Sequence, residues 1–124
     1  MSTMHQDILA MLQEDNTIKI PQNLHVFAGH FVDNPIVPGI YSLELAVAIV
    51  GRTLQKNVTL HKIVRCKFKQ PLLPNMELSS HVKLGSLEHN LQKAKVQFFL
   101  GETVAVDIHF VVQLLPNEIK NDSA

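Results

Sequence analysis

From Ile40 to Leu54 the chain has no proline, one glycine at Gly51 and a nearly unbroken set of Leu, Ala, Ile and Val. These residue types favour a helix, here of roughly four turns. Ile40, Leu43, Leu45, Ala46, Val47, Ala48, Ile49 and Val50 leave it no wide polar face, so it is predicted to be enclosed by the rest of the molecule. Pro38 sits near its first turn, Arg52 and Lys56 complement the dipole at its far end, and Asn57 supplies a stop. Whatever else the chain forms must wrap this helix.

The wrapping is read from four period-two stretches, Val58 to Lys69, Met76 to Leu84, Leu91 to Leu100 and Thr103 to Leu115. Turns are expected at Pro71 to Asn75, Gly85 to Asn90 and Gly101. In the last strand Val104, Val106, Ile108, Phe110, Val112 and Leu114 share one face, and Ala105, Asp107, His109, Val111 and Gln113 the other. Links this short join antiparallel neighbours, because a parallel pair needs a crossover of a dozen or more residues. Upstream, residues 1–15 hold an amphipathic helix over Met4 to Glu14, capped by Ser2 or Thr3. A short strand follows over Thr17 to Ile20, then an extended segment over Leu24 to Phe31 and a proline-rich loop from Val32 to Gly39. A polar tail occupies 116–124. The fold class is α+β: an antiparallel sheet curled around one hydrophobic helix, a single domain over 1–124.

Eleven basic residues balance eleven acidic ones, so bulk charge points to neither nucleic acid nor a membrane surface. The most apolar run, Leu45 to Val50, is far shorter than the ~20 residues a spanning helix needs. The first residues lack a basic, then apolar, export signal, and the expected location is cytoplasmic. The lone Cys66 excludes an internal disulfide; its alternation with Val64 and Phe68 marks it as a small core residue rather than a nucleophile. No metal is expected, since His25 and His30 lie an odd number of positions apart and diverge on an extended segment that also precedes Asp33. His61, His81, His89 and His109 read as surface residues.

Glu44 is the anomaly. A carboxylate inside an apolar helix is costly unless it is paired, solvated or protonated. One reading gives the helix a solvated stripe containing Ser42 and Glu44; the other makes Glu44 a general acid held toward neutral pH by its surroundings.

The run Gly29-His30-Phe31-Val32-Asp33-Asn34-Pro35-Ile36-Val37-Pro38-Gly39 places a histidine fourteen positions before that acid. It resembles the Gly-His-Phe-Pro-x-x-Pro-x-x-Pro-Gly motif of the hotdog-fold 3-hydroxyacyl-acyl carrier protein dehydratases, the FabZ/FabA type, and Phe68-Lys69-Gln70-Pro71-Leu72-Leu73-Pro74 resembles the family's later Phe-x-x-Pro-x-x-Pro segment. The resemblance covers roughly residues 17 to 115, with departures at Val32, Asp33 and Ala48. It implies a hotdog fold assembled as a homodimer or a trimer of dimers, with His30 of one subunit facing Glu44 of the other. It further implies a lyase of fatty acid or related lipid biosynthesis that turns 3-hydroxyacyl thioesters into trans-2-enoyl thioesters. The substrate rides on the phosphopantetheine of an acyl carrier protein, or on coenzyme A, and no other cofactor is needed. Within that reading His30 is the base and Glu44 the acid, the Gly39 N–H meets the thioester oxygen, and Phe31, Pro38 and Tyr41 line the substrate tunnel. Arg65, Lys67 and Lys69 share a strand face opposite Cys66: either a solvated edge or a docking stripe for the acidic carrier. A hotdog thioesterase and a non-catalytic acyl-binding subunit are the alternatives, the latter suggested by Ala48 and Val32.

Overall fold

A computed structural model describes residues 2–28 and 35–116. The order of elements is α1 (Thr3–Met11), β1 (Ile18–Lys19), a 3-10 turn (His25–Phe27), α2 (Gly39–Leu54), β2 (Val58–Phe68), β3 (Glu77–Glu88), β4 (Leu91–Leu100) and β5 (Thr103–Leu114). Beyond Pro116 the expected tail lies outside the described residues.

Ser2 caps α1, its hydroxyl accepting from the His5 amide at 3.1 Å. The helix ends at Met11 rather than Glu14, because the Leu12 backbone turns extended to bridge Ile18. The Asp15 carboxylate then accepts from the Thr17 amide at 2.9 Å and closes the turn into β1. The extended segment expected from Leu24 is instead a 3-10 turn at His25–Phe27, which brings the His25 and Val26 amides onto one buried carboxylate, that of Asp7.

Helix α2 ends at Leu54. Gln55 takes the left-handed conformation (φ 56°) while Gln55 N–H donates to the Arg52 carbonyl and Lys56 N–H to that of Gly51, a Schellman closure two residues ahead of Asn57. The Arg52 guanidinium reaches the Gln13 carbonyl at 2.7 Å, tying this end to the turn after α1.

The sheet is antiparallel throughout, in the order β1-β3-β4-β5-β2. Ala94, Val96 and Phe98 of β4 stand opposite Phe110, Ile108 and Val106 of β5, and together they pack on Leu45, Ala46, Ile49 and Val50 of α2. Phe98, Leu45, Ile49 and Val50 have no exposed surface, so each contributes on the order of 1.5–3 kcal/mol of burial. The turn expected at Gly85 to Asn90 shrinks to its last two residues, His89 and Asn90, both at positive φ as a two-residue hairpin requires. Strand β3 therefore continues through Gly85 to Glu88, with a register shift between Leu84 and Leu87. The Gln92 amide fills that bulge, donating to the carbonyls of Gly85 at 2.9 Å and Lys93 at 2.8 Å. Strand β2 closes one edge of the sheet, paired only with β5 among the described residues.

Candidate active site

Pro38 and Gly39 start α2. Proline at the N-cap offers no side-chain acceptor; among the described residues no side chain caps the first-turn N–H groups, and the Tyr41 N–H donates to the Pro38 carbonyl at 2.9 Å. The Phe68 ring lies over Gly39, where a Cβ would come within 2.9 Å of the ring Cζ. The two family-like segments thus meet: the end of β2 packs on the helix start that follows the histidine-bearing loop. The Val37 amide donates to the Leu72 carbonyl at 2.9 Å, which fixes Pro35 to Pro38 against the segment after β2.

Glu44 stands in the second turn of α2, half-buried between the buried Leu43 and Leu45. Among the described residues its carboxylate has no hydrogen-bond or ion-pair partner, and Ala48 one turn on supplies none. It lines a groove of about 750 Å³ between α1 and α2, walled by Ile8, Leu9, Val47 and Ala48 and, toward the end of α2, by Arg52, Gln55 and Lys56. Glu44 is therefore a carboxylate with no partner among the described residues, in a mixed polar and apolar groove, one turn past a helix start that no described side chain caps. His30 and Phe31 fall outside the described residues, as does Asp33, so the site is described from Glu44, Gly39 and the two flanks of the loop.

Tyr41, expected along a tunnel, is buried at 5% exposure, and its hydroxyl donates to Asp7 at 2.8 Å. Burial and that bond push its pKa up to about 12. Asp7 is the residue that pattern reading missed. Its two oxygens accept from the His25 amide (2.7 Å), the Val26 amide (3.0 Å), the His25 ring (3.0 Å) and Tyr41. The available signal was a lone acid preceding Ile8 on the face that α1 buries.

Arg65 and Lys67 do share the outer sheet face, lying opposite His109 and Asp107 of β5. The Arg65 guanidinium lies 3.2 Å from His109 Nε2 and 3.7 Å from the Asp107 carboxylate, which also stands 3.5 Å from that ring nitrogen. His109 is half-buried here rather than freely exposed, and Asp107 is buried, because the flanking long side chains cover the middle of β5. Lys69, just past β2, is exposed. Cys66 is half-buried against the core, and burial followed by the Asp107 charge pushes its thiol up, away from nucleophilic use. No cluster of His, Cys, Asp and Glu suited to a metal occurs among the described residues, and no described helix is long and apolar enough to cross a membrane.

A curled five-stranded antiparallel sheet on a central helix is the hotdog fold. A solved structure from Archaeoglobus fulgidus shares it with a TM-score of 0.65 at 16% identity, over 80% of this chain and 74% of that one. The (R)-hydratase of A. caviae involved in PHA biosynthesis superposes with a TM-score of 0.55 at 25% identity, covering 65% of this chain and 64% of that one. The family model for ApeI-like proteins, described as ApeI dehydratase, matches residues 11–114, and the chain belongs to that family. It is also similar to the 3-hydroxyacyl-(acyl-carrier-protein) dehydratase FabZ of Caldanaerobacter subterraneus, 33% identical over 94 residues, 69% of this chain and 66% of that protein, just short of two thirds. The FabZ of Fusobacterium nucleatum is 29% identical over 112 residues, 83% of this chain and 79% of the relative.

Proposed function

We propose that this protein dehydrates 3-hydroxyacyl thioesters to trans-2-enoyl thioesters, with His30 and Glu44 as base and acid. The observation that carries the reading is Glu44, a half-buried carboxylate with no partner among the described residues, one turn beyond the start of α2, in a chain of the ApeI-like dehydratase family. His30 takes a proton from C2. As the C2–H electron pair forms the C2–C3 double bond, the C3–O bond breaks, and Glu44 in its acid form donates a proton to the departing hydroxyl, which leaves as water. Negative charge that builds on the thioester oxygen meets the Gly39 N–H at the positive end of α2, where glycine lets the substrate approach the backbone. Phe31 and Pro38 flank the thioester, and Tyr41 supports the tunnel wall from behind.

The active unit in this proposal is a homodimer, alone or as a trimer of dimers. Strand β2 presents an eleven-residue edge with Ile63, Val64 and Phe68 exposed by 46%, 61% and 54%, a surface suited to antiparallel pairing with a second β2. His30 of one subunit then faces Glu44 of the other. The substrate arrives on phosphopantetheine, carried by an acyl carrier protein or coenzyme A, and an acidic carrier meets Arg65, Lys67 and Lys69. Cross-strand register extends this stripe, since Arg65 lies opposite His109, His109 opposite Lys95, and Lys95 opposite Lys83. The reaction belongs to fatty acid or related lipid assembly inside the cell.

Incubation with 3-hydroxybutyryl and crotonyl thioesters tests the reading. Interconversion of the two is expected for the wild type, with losses of at least ~100-fold in His30→Ala and Glu44→Gln. Turnover surviving either substitution removes that residue's role. Release of free thiol marks a thioesterase, and binding without reaction marks a non-catalytic subunit.

A further inference from the structure

The segment Phe68-Lys69-Gln70-Pro71-Leu72-Leu73-Pro74 resembles a family motif, yet the reaction described above gives Phe68 no part. Its backbone is held in the sheet: Phe68 pairs with Val106 at the end of β2, and the Lys69 and Gln70 amides both donate to the Ala105 carbonyl, at 2.8 and 3.3 Å. The ring, by contrast, stays out of the core. It is 54% exposed and its tip lies over the exposed Gly39, with Cζ, Cε2 and Cε1 at 2.9, 3.2 and 3.3 Å from the place a Cβ would take. A side chain at 39 would displace the ring, so glycine there serves the ring as well as a ligand. Helix geometry sets the ring beside the first amide of α2. Cα–Cβ bonds tilt toward a helix N-terminus, and the first N–H groups point the same way, so a ring on the Cβ side of Gly39 stands alongside whatever accepts from the Gly39 N–H.

We propose that Phe68 is a specificity-determining residue: its ring walls the space beside the thioester carbonyl, admitting acyl chains unbranched at C2 and excluding those that carry a C2 methyl group. The inference rests on the functional reading above, which puts the thioester oxygen on the Gly39 N–H, and it narrows the substrate class. A carbonyl carbon lies ~1.2 Å beyond its oxygen, so the atoms bonded to it come within van der Waals reach of a ring packed on the donor residue. C2 is one of those atoms, and a substituent on it meets the ring before any more distant part of the chain does. Ile36 and Ile40, both exposed, flank Gly39 in sequence, so the surroundings of this amide suit the apolar acyl side of a thioester rather than the polar pantetheine side. A hydrogen at C2 leaves the ring where it is, whereas a methyl group overpacks the space. The wall cannot retreat as a loop would, because the sheet fixes the backbone beneath it and only rotation of the ring relieves the clash.

The test gives the full-length protein crotonyl and 2-methylcrotonyl coenzyme A together and follows hydration of each. Competition in one sample yields the ratio of the two kcat/KM values, which partial unfolding or altered assembly of a variant leaves unchanged. Phe68→Ala is expected to shrink the wild-type preference for the unbranched substrate by ~10-fold, the scale on which one methyl group is discriminated. Phe68→Leu should fall between the two, and Phe68→Tyr should keep the wild-type ratio. The same ratio in wild type and Phe68→Ala overturns the proposal, as does a wider preference in the variant. If the wild type hydrates neither thioester, the functional reading falls and binding decides the wall separately, by titration of the same two thioesters followed on the Gly39 amide resonance. A ratio of dissociation constants that narrows in Phe68→Ala supports the wall. An unchanged ratio, or a Gly39 resonance that neither thioester moves, overturns it.

Discussion

At the scale of single residues, Asp7 and Tyr41 form a pair that titration can read. Burial by itself raises the Asp7 pKa, but the His25 and Val26 amides, the Tyr41 hydroxyl and the His25 ring together hold it below the ordinary value of 3.8. A carboxyl whose pKa falls on folding stabilises the fold above the unfolded carboxylate range, and that contribution is lost as pH drops through the lowered value. Tyr41 runs the other way: raised from 10.0 to about 12, it favours the folded state fully below 10 and loses that contribution as pH rises toward 12. The chain has one tyrosine and no tryptophan, so tyrosinate absorbance reports Tyr41 alone. We expect a midpoint near 12 in the wild type and a lower one in Asp7→Asn, still above the ordinary tyrosine value because burial, the largest cause, remains. The melting-temperature gap between the two proteins should be widest near neutral pH and close as pH falls below the carboxylate range. Glu44 was legible in the sequence as an acid within an apolar run. Asp7 was not, because its four donors come from segments distant along the chain and no local spacing announces them.

At the scale of elements, α2 and strands β2, β4 and β5 were legible almost to the residue, since period and composition speak for long regular segments. Their irregularities were not. Gly85 reads as a turn, but the Gln92 side chain satisfies the carbonyls that a bulge exposes, so β3 runs on to Glu88. The end of α2 depends on Gln55 accepting a left-handed backbone, which its residue type does not advertise. Strand β2 carries the prediction that belongs here. If subunits pair through β2 as proposed above, a lysine in place of Val64, 61% exposed on the strand at the sheet edge, should lower the mass seen by sedimentation and depress turnover. A protein that remains dimeric in Val64→Lys places the dimer contact elsewhere.

At the scale of the whole molecule, a chain of zero net charge displays Arg65, Lys67, Lys83 and Lys95 on one outer sheet face. A basic stripe of this kind can steer an acidic partner such as the carrier proposed above while the bulk stays neutral. Reversing Lys67 and Lys69 to Glu should weaken reaction with carrier-bound substrate by ~10-fold or more at low salt, and leave the coenzyme A thioester unaffected. Equal effects on both substrates remove the docking role. By itself the sequence determined the long segments α2, β2, β4 and β5, and that one side of the central helix had to be covered by the sheet. These follow from local period and from the cost of exposing apolar surface. The other side of α2, with Ile40 exposed and Glu44, Val47 and Ala48 half-buried, borders a groove rather than being enclosed. Only the tertiary structure decided the strand order β1-β3-β4-β5-β2, the meeting of Phe68 with Gly39 and the gathering of His25, Val26 and Tyr41 on Asp7. Those contacts join residues far apart in the chain, and their partners are chosen by packing in three dimensions rather than by neighbours in sequence.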